Sequence, residues 1–400
     1  MLASCATTAG GHVPGVPDDD ADLGVRATDA GIDAEPADPD ARVDAAAPAA
    51  LVALAPSPIL VARGGAVSVT ATINRPAIAG GEVIHIAATS GTAATLPATV
   101  TIAEGATSAS FEVHGLMTGG PFDVNATLGD AHVSVPLRVV PALASITPGA
   151  SDVTVGESAH YTVALESPAP VALELALESS APEVASVPAT ITIPAGQTSS
   201  GFDVKGVGLG GPISISASFA GTSASAKARA LGVYLSEVLY DLPSNDTNLE
   251  WVELYNASAV PVDVTGLRVD SAGGANGTGY STSLVLAGTL APGQCALVGG
   301  PSNAGMTFFQ AMDLNPDLGN ASSGKADGIR LATASGGVVD AVLYGGANTD
   351  AITDENGAAS PPDVPGALAG QSIERTAPGL LGPWQVQTLP SPGDCSAIAQ

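Results

Sequence analysis

Glu250-Trp-Val-Glu-Leu-Tyr-Asn256 is the stretch on which the reading of this 400-residue chain turns. Side chains of an extended segment alternate between faces, so Trp251, Glu253 and Tyr255 fall on one side and Val252 and Leu254 on the other. Both sides carry large groups. That predicts a strand covered on both faces, at the centre of a sandwich. Upstream, Val233-Tyr-Leu-Ser-Glu-Val-Leu-Tyr240 is also extended in character. Downstream, Val262-Asp-Val-Thr-Gly-Leu-Arg-Val-Asp270 predicts two short strands about a turn at Gly266. Glu237 is expected to share a face with Val233, Leu235 and Leu239, and Glu253 lies between Trp251 and Tyr255. Two carboxylates on neighbouring strands in partly apolar surroundings can do acid–base chemistry if their pKa values are split. They can equally be structural, each accepting N–H groups from a loop and closing an end of the sandwich, because buried carboxylates need partners.

Working outward, composition supports short strands throughout. Aromatic residues make up 4% of the chain, and 48 Gly with 31 Pro place a breaker about every five residues. At about 100 to 200 residues per domain the length accommodates two to four domains, each with its own core. The formal charge is −27. Residues 1–50 hold 10 acids and 2 bases, 51–141 hold 5 and 3, 142–231 hold 7 and 3, and 232–400 hold 17 and 4. Acidity concentrated at the two ends argues against nucleic acid as a partner, since phosphate binding needs a basic surface. No apolar run of about 18 residues is present to form a membrane-spanning helix.

The central segments repeat. Pro97-Ala-Thr-Val-Thr-Ile102 returns as Pro188-Ala-Thr-Ile-Thr-Ile193, Phe111-Glu-Val113 as Phe202-Asp-Val204, and Gly119-Gly-Pro121 as Gly210-Gly-Pro212. Alternating apolar residues follow each Pro: Phe122, Val124, Ala126 and Leu128, then Ile213, Ile215, Ala217 and Phe219. The period of about 91 residues suits an immunoglobulin-sized sandwich. These units resemble the immunoglobulin-like modules strung along bacterial surface and secreted proteins, which implies a spacer or adhesive stalk. Neither copy carries the cysteine pair and tryptophan of antibody-type domains.

Other motifs lose on inspection. Gly206-Val-Gly208-Leu-Gly-Gly211 matches the dinucleotide-binding pattern, but no helical pattern follows and the first copy lacks it, so an inter-strand loop is expected. Gly319-Asn-Ala-Ser-Ser-Gly324-Lys325 imitates a phosphate-binding loop, yet Ala326 stands where a hydroxyl would hold magnesium. Asp313, Asn315 and Asp317 alternate as calcium ligands do, making a weak calcium candidate. Leu318 and Gly324, however, occupy the positions that want glycine and glutamate. His12, His85, His114, His132 and His160 all lie before residue 232 and none pairs at metal-ligand spacing. No cofactor is expected, and without a histidine in the C-terminal part a nucleophilic triad cannot form there.

At the start of the chain, Leu2-Ala3-Ser4-Cys5 resembles the lipobox at which bacterial lipoproteins are cleaved and lipidated on cysteine. The basic and apolar regions of a signal peptide are expected upstream of Met1. Asp- and Pro-rich residues follow to about 50, with too little apolar bulk to order them. Cys5 as the lipidated residue ahead of an acidic tether implies a surface lipoprotein. Ala6, where an inner-membrane retention signal would have aspartate, leans towards the outer membrane if the host is Gram-negative.

The strands around Glu250–Asn256, followed by Leu290-Ala-Pro-Gly293, Asp327-Gly-Ile-Arg-Leu331, Gly337-Val-Val-Asp-Ala-Val-Leu-Tyr344, Ser372-Ile-Glu-Arg375, Trp384 and Pro392-Gly393, resemble the lamin tail domain over residues 232 to 396. The resemblance is to a non-catalytic family, which implies that Glu237 and Glu253 are structural carboxylates. A secreted hydrolase using them is the alternative, and a pure structural spacer is another. With Cys5 lipidated, Cys295 and Cys395 remain in an exported chain, so a disulfide between them is expected, two buried free thiols being the alternative.

The sequence thus predicts an all-β chain of tandem immunoglobulin-like β-sandwiches behind a disordered tether. Residues 1–50 are the lipobox-like start and tether, 51–141 and 142–231 the repeats, and 232–400 the lamin-tail-like domain. The expected function is a non-enzymatic, bacterial cell-envelope lipoprotein, outer-membrane-tethered or secreted. Its last domain would bind an envelope protein or surface polymer through its loops, with membrane contact only through the lipid at Cys5.

Overall fold

The computed structural model describes residues 48–399 apart from 244–247, 274–278, 321–323, 378 and 381, so Cys5, His12 and the acidic leader lie outside the described residues. Among the described residues every helix or strand element is a strand. None forms a helix long and apolar enough to cross a membrane.

The first repeat folds into β1 (Leu51–Ala55), β2 (Ile59–Ala62), β3 (Ala66–Ile73), β4 (Glu82–Ala88), β5 (Ala94–Thr95), β6 (Thr99–Ile102), β7 (Ser108–Gly115), β8 (Gly119–Leu128) and β9 (Ala131–Val140). They form two sheets, β1-β3-β7-β5 and β2-β9-β8-β4-β6. The second repeat comprises β10 (Leu143–Thr147), β11 (Ala150–Thr154), β12 (Ser158–Leu165), β13 (Leu173–Ser179), β14 (Ala185–Ser186), β15 (Thr190–Ile193), β16 (Ser199–Gly206), β17 (Gly210–Phe219) and β18 (Thr222–Leu231). Its sheets, β10-β12-β16-β14 and β11-β18-β17-β13-β15, have the same order with each label advanced by nine. Both are immunoglobulin-like sandwiches. Alternation puts Phe111 and Val113 into one core and Phe202 and Val204 into the other.

The repeated Gly-Gly-Pro marks a place where β8 and β17 slip register against their partners. Gly120 and Gly211 have φ of 106° and 117°. A Cβ there would lie 2.8 Å from the Leu137 and Ala228 carbonyl oxygens. Only glycine fits such a position.

The repeats meet through backbone and small residues. Ala62 N–H donates to the Ala220 carbonyl at 2.8 Å, Arg63 Nε pairs with Glu166 at 3.0 Å, and a Cβ on Gly221 would collide with the Ala66 backbone. Only Gly232 separates β18 from the next strand, and Val153, Val155 and Leu231 of the second repeat are part of the C-terminal hydrophobic core.

The C-terminal part contains β19 (Val233–Leu239), β20 (Trp251–Asn256), β21 (Val262–Asp263), β22 (Arg268–Ala272), β23 (Ser281–Val285), β24 (Thr289–Leu290), β25 (Cys295–Gly299), β26 (Ala326–Ala332), β27 (Val338–Gly345), β28 (Ser372–Arg375) and β29 (Trp384–Gln387). One sheet runs β25-β20-β19-β28-β29, the other β23-β22-β26-β27, and β21 pairs with β24. As expected, β20 is interior to its sheet and all six of its residues are buried. Val252 and Leu254 pack with Val269, Ile329, Leu331 and Val342 from the other sheet.

One expectation is corrected. Glu237 does not share a face with Val233 and Leu235. Leu235 pairs with Leu254 but Glu237 pairs with Glu253, so a bulge at Ser236 inserts an extra residue and reverses the alternation. Val233, Leu235, Val238 and Tyr240 enter the inter-sheet core, while Glu237 and Leu239 join Glu253 and Trp251 on the opposite face.

Candidate functional site

The bulge lines up three glutamates across three strands. Glu253 of β20 pairs with Glu237 of β19, and Glu237 pairs with Glu374 of β28. Their exposures are 0%, 1% and 8%. Like charges directly opposite one another destabilise a sheet, and burial raises that cost. Burial pushes the Glu253 carboxyl up to about 7, against hydrogen bonds from Gly393 and Ser236 and with help from the charges of Glu237 and Asp394. Glu237 is raised too, chiefly by burial, despite donors from Ser372 and Ser391.

The face carrying this row is covered by the last residues of the chain. Ser391 gives Glu237 its N–H (3.0 Å to Oε1) and its hydroxyl (3.0 Å to Oε2), and Ser372 Oγ donates to Oε1 at 2.5 Å. Gly393 N–H donates to Glu253 Oε2 at 2.5 Å, and Ser236 Oγ to Oε1 at 2.8 Å. The clip is closed covalently. Cys295 and Cys395 form the expected disulfide, S–S 2.08 Å with Cα atoms 5.7 Å apart. Cys395 and Ile398 pack on Tyr255 of β20. Cys395 Sγ lies 3.1 Å from Glu253 Oε1 and 3.4 Å from Ser236 Oγ. The two sulfurs and the Glu253 carboxylate fall within 4.8 Å of one another, the single such group among the described residues. The sulfurs are bonded to each other, so the cluster as it stands is not a metal site.

Behind the row lies a second charged assembly. Arg375 and Asp340 are both fully buried. Arg375 Nη2 reaches Asp340 Oδ1 and Oδ2 at 2.7 and 2.8 Å, while Leu235 and Ala341 N–H groups donate to the same carboxylate. The guanidinium also donates to the carbonyls of Leu235, Gly379, Leu380 and Gly382 and lies 4.7 Å over the Trp384 ring. Burial still holds Asp340 up to about 6, with Arg375 drawing it down. Nothing local in the sequence pairs Arg375 with Asp340, 35 positions away. The available signal was Asp340 standing alone in the apolar run Val338–Tyr344, in a domain with only four basic residues.

The remaining sequence candidates are scattered. Asp313 is half-buried, while Asn315 and Asp317 are exposed. Asn315 N–H donates to the Ser283 carbonyl, and neither Asp313 nor Asp317 belongs to the cluster of potential metal ligands. Gly206 and Gly210 end β16 and open β17, so that glycine pattern is an inter-strand turn. Lys325 of the phosphate-loop imitation pairs with Asp350 at 2.9 Å, and residues 321–323 of that loop lie outside the described residues. His85, His114, His132 and His160 are exposed strand residues, with His160 Nδ1 3.0 Å from Asp203. A cleft of about 450 Å³ opens at the joint of the second sandwich and the C-terminal domain, lined in part by Asp152, Lys227, Arg229 and Glu355. Arg229 is engaged there with both Asp152 oxygens and the Glu355 carbonyl.

Among solved structures, domains 4 and 5 of the S-layer protein SbsC are similar at 17% identity, covering 40% of this chain and 82% of that one, with a TM-score of 0.19. The teleost fish polymeric Ig receptor ectodomain is similar at 11% identity, covering 46% and 98%, TM-score 0.20. A tandem from titin is similar at 8% identity, covering 63% and 95%, TM-score 0.19. No curated protein matches the chain. Residues 226–346 match the Lamin Tail Domain family model, a segment that takes in β19 to β27 and stops short of Glu374, Arg375 and the clip.

Proposed function

We propose that this chain is a non-enzymatic cell-envelope protein. Two immunoglobulin-like sandwiches act as a spacer and the C-terminal lamin-tail-like domain presents binding loops to an envelope protein or surface polymer. The observation that carries the non-enzymatic reading is the occupancy of the Glu237 and Glu253 oxygens. Each accepts from a serine hydroxyl and from a backbone N–H of residues 391–393, so both act as anchors for the terminal segment instead of facing a substrate. A lipid on Cys5, ahead of the acidic leader, would attach the array to the membrane. The hydrolase alternative requires those oxygens to be free.

Fractionation of cells expressing the protein from its own reading frame, with the region upstream of Met1 included, tests the location, with Cys5→Ser beside it. The reading expects the parent in the membrane fraction and the variant released. Equal release of both removes the lipid anchor from the proposal.

A further inference from the structure

We propose that the Cys295–Cys395 disulfide is a thiol–disulfide exchange site, at which a dithiol reductant attacks Cys295, Glu253 hands its proton to the departing Cys395 sulfur, and the opened bond frees the C-terminal clip from the glutamate row.

The two sulfurs are unequal. Cys295 is the first residue of the edge strand β25 and only half-buried, whereas Cys395 is 6% exposed and sits under the clip. A nucleophile from solvent therefore meets Cys295 Sγ first, and the electron pair of the breaking bond goes to Cys395 Sγ. At 3.1 Å that sulfur faces Glu253 Oε1, with Ser236 Oγ at 3.4 Å. The step balances as follows in atoms and electrons. The reductant's thiolate bonds to Cys295 Sγ as the protein S–S bond breaks, and Cys395 Sγ takes the Glu253 proton. The reductant's second thiolate then displaces Cys295, which is protonated from water, as Glu253 is. The protein gains two thiols and the dithiol leaves as its disulfide.

Glu253 is set up to hold that proton. The charged or titratable groups around it are Glu237 across β19 with Glu374 beyond, Asp394 of the clip, and Tyr255 on its own strand. Burial is the main reason the carboxyl keeps its proton up to about pH 7, and the charges of Glu237 and Asp394 add to it against the hydrogen bonds from Gly393 and Ser236. Once ionised it would oppose a thiolate growing 3.1 Å away. The same carboxylate accepts the Gly393 N–H, so the group that meets the leaving sulfur is also an anchor of the clip.

The test measures reduction by dithiothreitol from pH 5.5 to 9 in a full-length Cys5→Ser background, with rates divided by thiolate concentration. The expected profile falls at least about tenfold as pH rises through about 7, and Glu253→Gln removes the inflection. If Glu253 merely positions the clip, Glu253→Gln changes the rate equally at every pH and the proposal fails. Should that variant not fold, Glu237→Gln serves: removing a neighbouring charge should move the inflection to lower pH. The protein carrying Glu253 gives an independent readout. Brief treatment with the monothiol glutathione should leave the mixed disulfide on Cys295, and an adduct on Cys395, or a flat pH profile, overturns the proposal.

Discussion

Replacing Arg375 by Met keeps the stem and approximate volume but removes the guanidinium from a fully buried assembly. Asp340 would be left with only the Leu235 and Ala341 N–H donors, and the carbonyls of Leu235, Gly379, Leu380 and Gly382 would lose a donor. Removing one partner of a buried ion pair costs about 3–5 kcal/mol. That is a large share of a domain's margin of about 5–15 kcal/mol. The deficit should depend on pH. Burial holds Asp340 up to about 6 even with Arg375 drawing it down; without Arg375 the native value rises further. The variant's native state then binds a proton that its unfolded state binds only near pH 4, so its stability recovers as pH falls through the raised native value. Urea denaturation followed by tryptophan fluorescence reads this directly, because the chain's two tryptophans, Trp251 and Trp384, both lie in the C-terminal domain. We expect a loss of about 3–5 kcal/mol at pH 8 that shrinks at pH 5. A loss below about 1 kcal/mol at pH 8, or an equal loss at both pH values, would refute the reasoning.

Four further outcomes are expected. In the unsubstituted protein Glu253 rises from 4.5 when free to about 7 when folded, so its contribution is full below about pH 4.5 and lost as pH rises to about 7. Tryptophan-monitored stability should fall by up to about 3 kcal/mol across that window, less in Glu253→Gln. The double substitution of Cys295 and Cys395 by Ser opens a loop spanning 100 residues and should cost about 4–5 kcal/mol in the same assay. Gly221→Val drives a side chain into the Ala66 backbone at the joint of the repeats, and small-angle scattering should show a larger spread of shapes than for the parent. A fragment of residues 51–231 should give a folded β spectrum by circular dichroism, since each repeat carries its own core; its exposed Val153, Val155 and Leu231 should lower its solubility.

What the sequence made legible follows from what local alternation can encode. Trp251 and Tyr255 against Val252 and Leu254 announce two covered faces, and the strand is buried on both. The two repeats share topology down to their Gly-Gly-Pro because only glycine fits there, and Cys295 and Cys395 are the two cysteines left to pair once Cys5 is assigned to a lipid. The bulge at Ser236 has no residue signature. Serine is equally ordinary in a regular strand, so plain alternation reverses the parity of Glu237 and leaves Glu374 out of the row. Which segment supplies the clip is illegible for a different reason. Its bonds to Glu253 come from the Gly393 amide, 140 positions away, and a backbone N–H is the same in every residue but proline. The sequence allows a loop to cap Glu237 and Glu253 but does not say which one. Here the cover is a terminal segment whose own sequence, Ser391-Pro-Gly-Asp-Cys395, is that of a loop. The only trace is the cysteine, so the bond that fixes the clip is also what lets a reader find it. The glutamate row follows from it once the Cys395 sulfur is placed against Glu253.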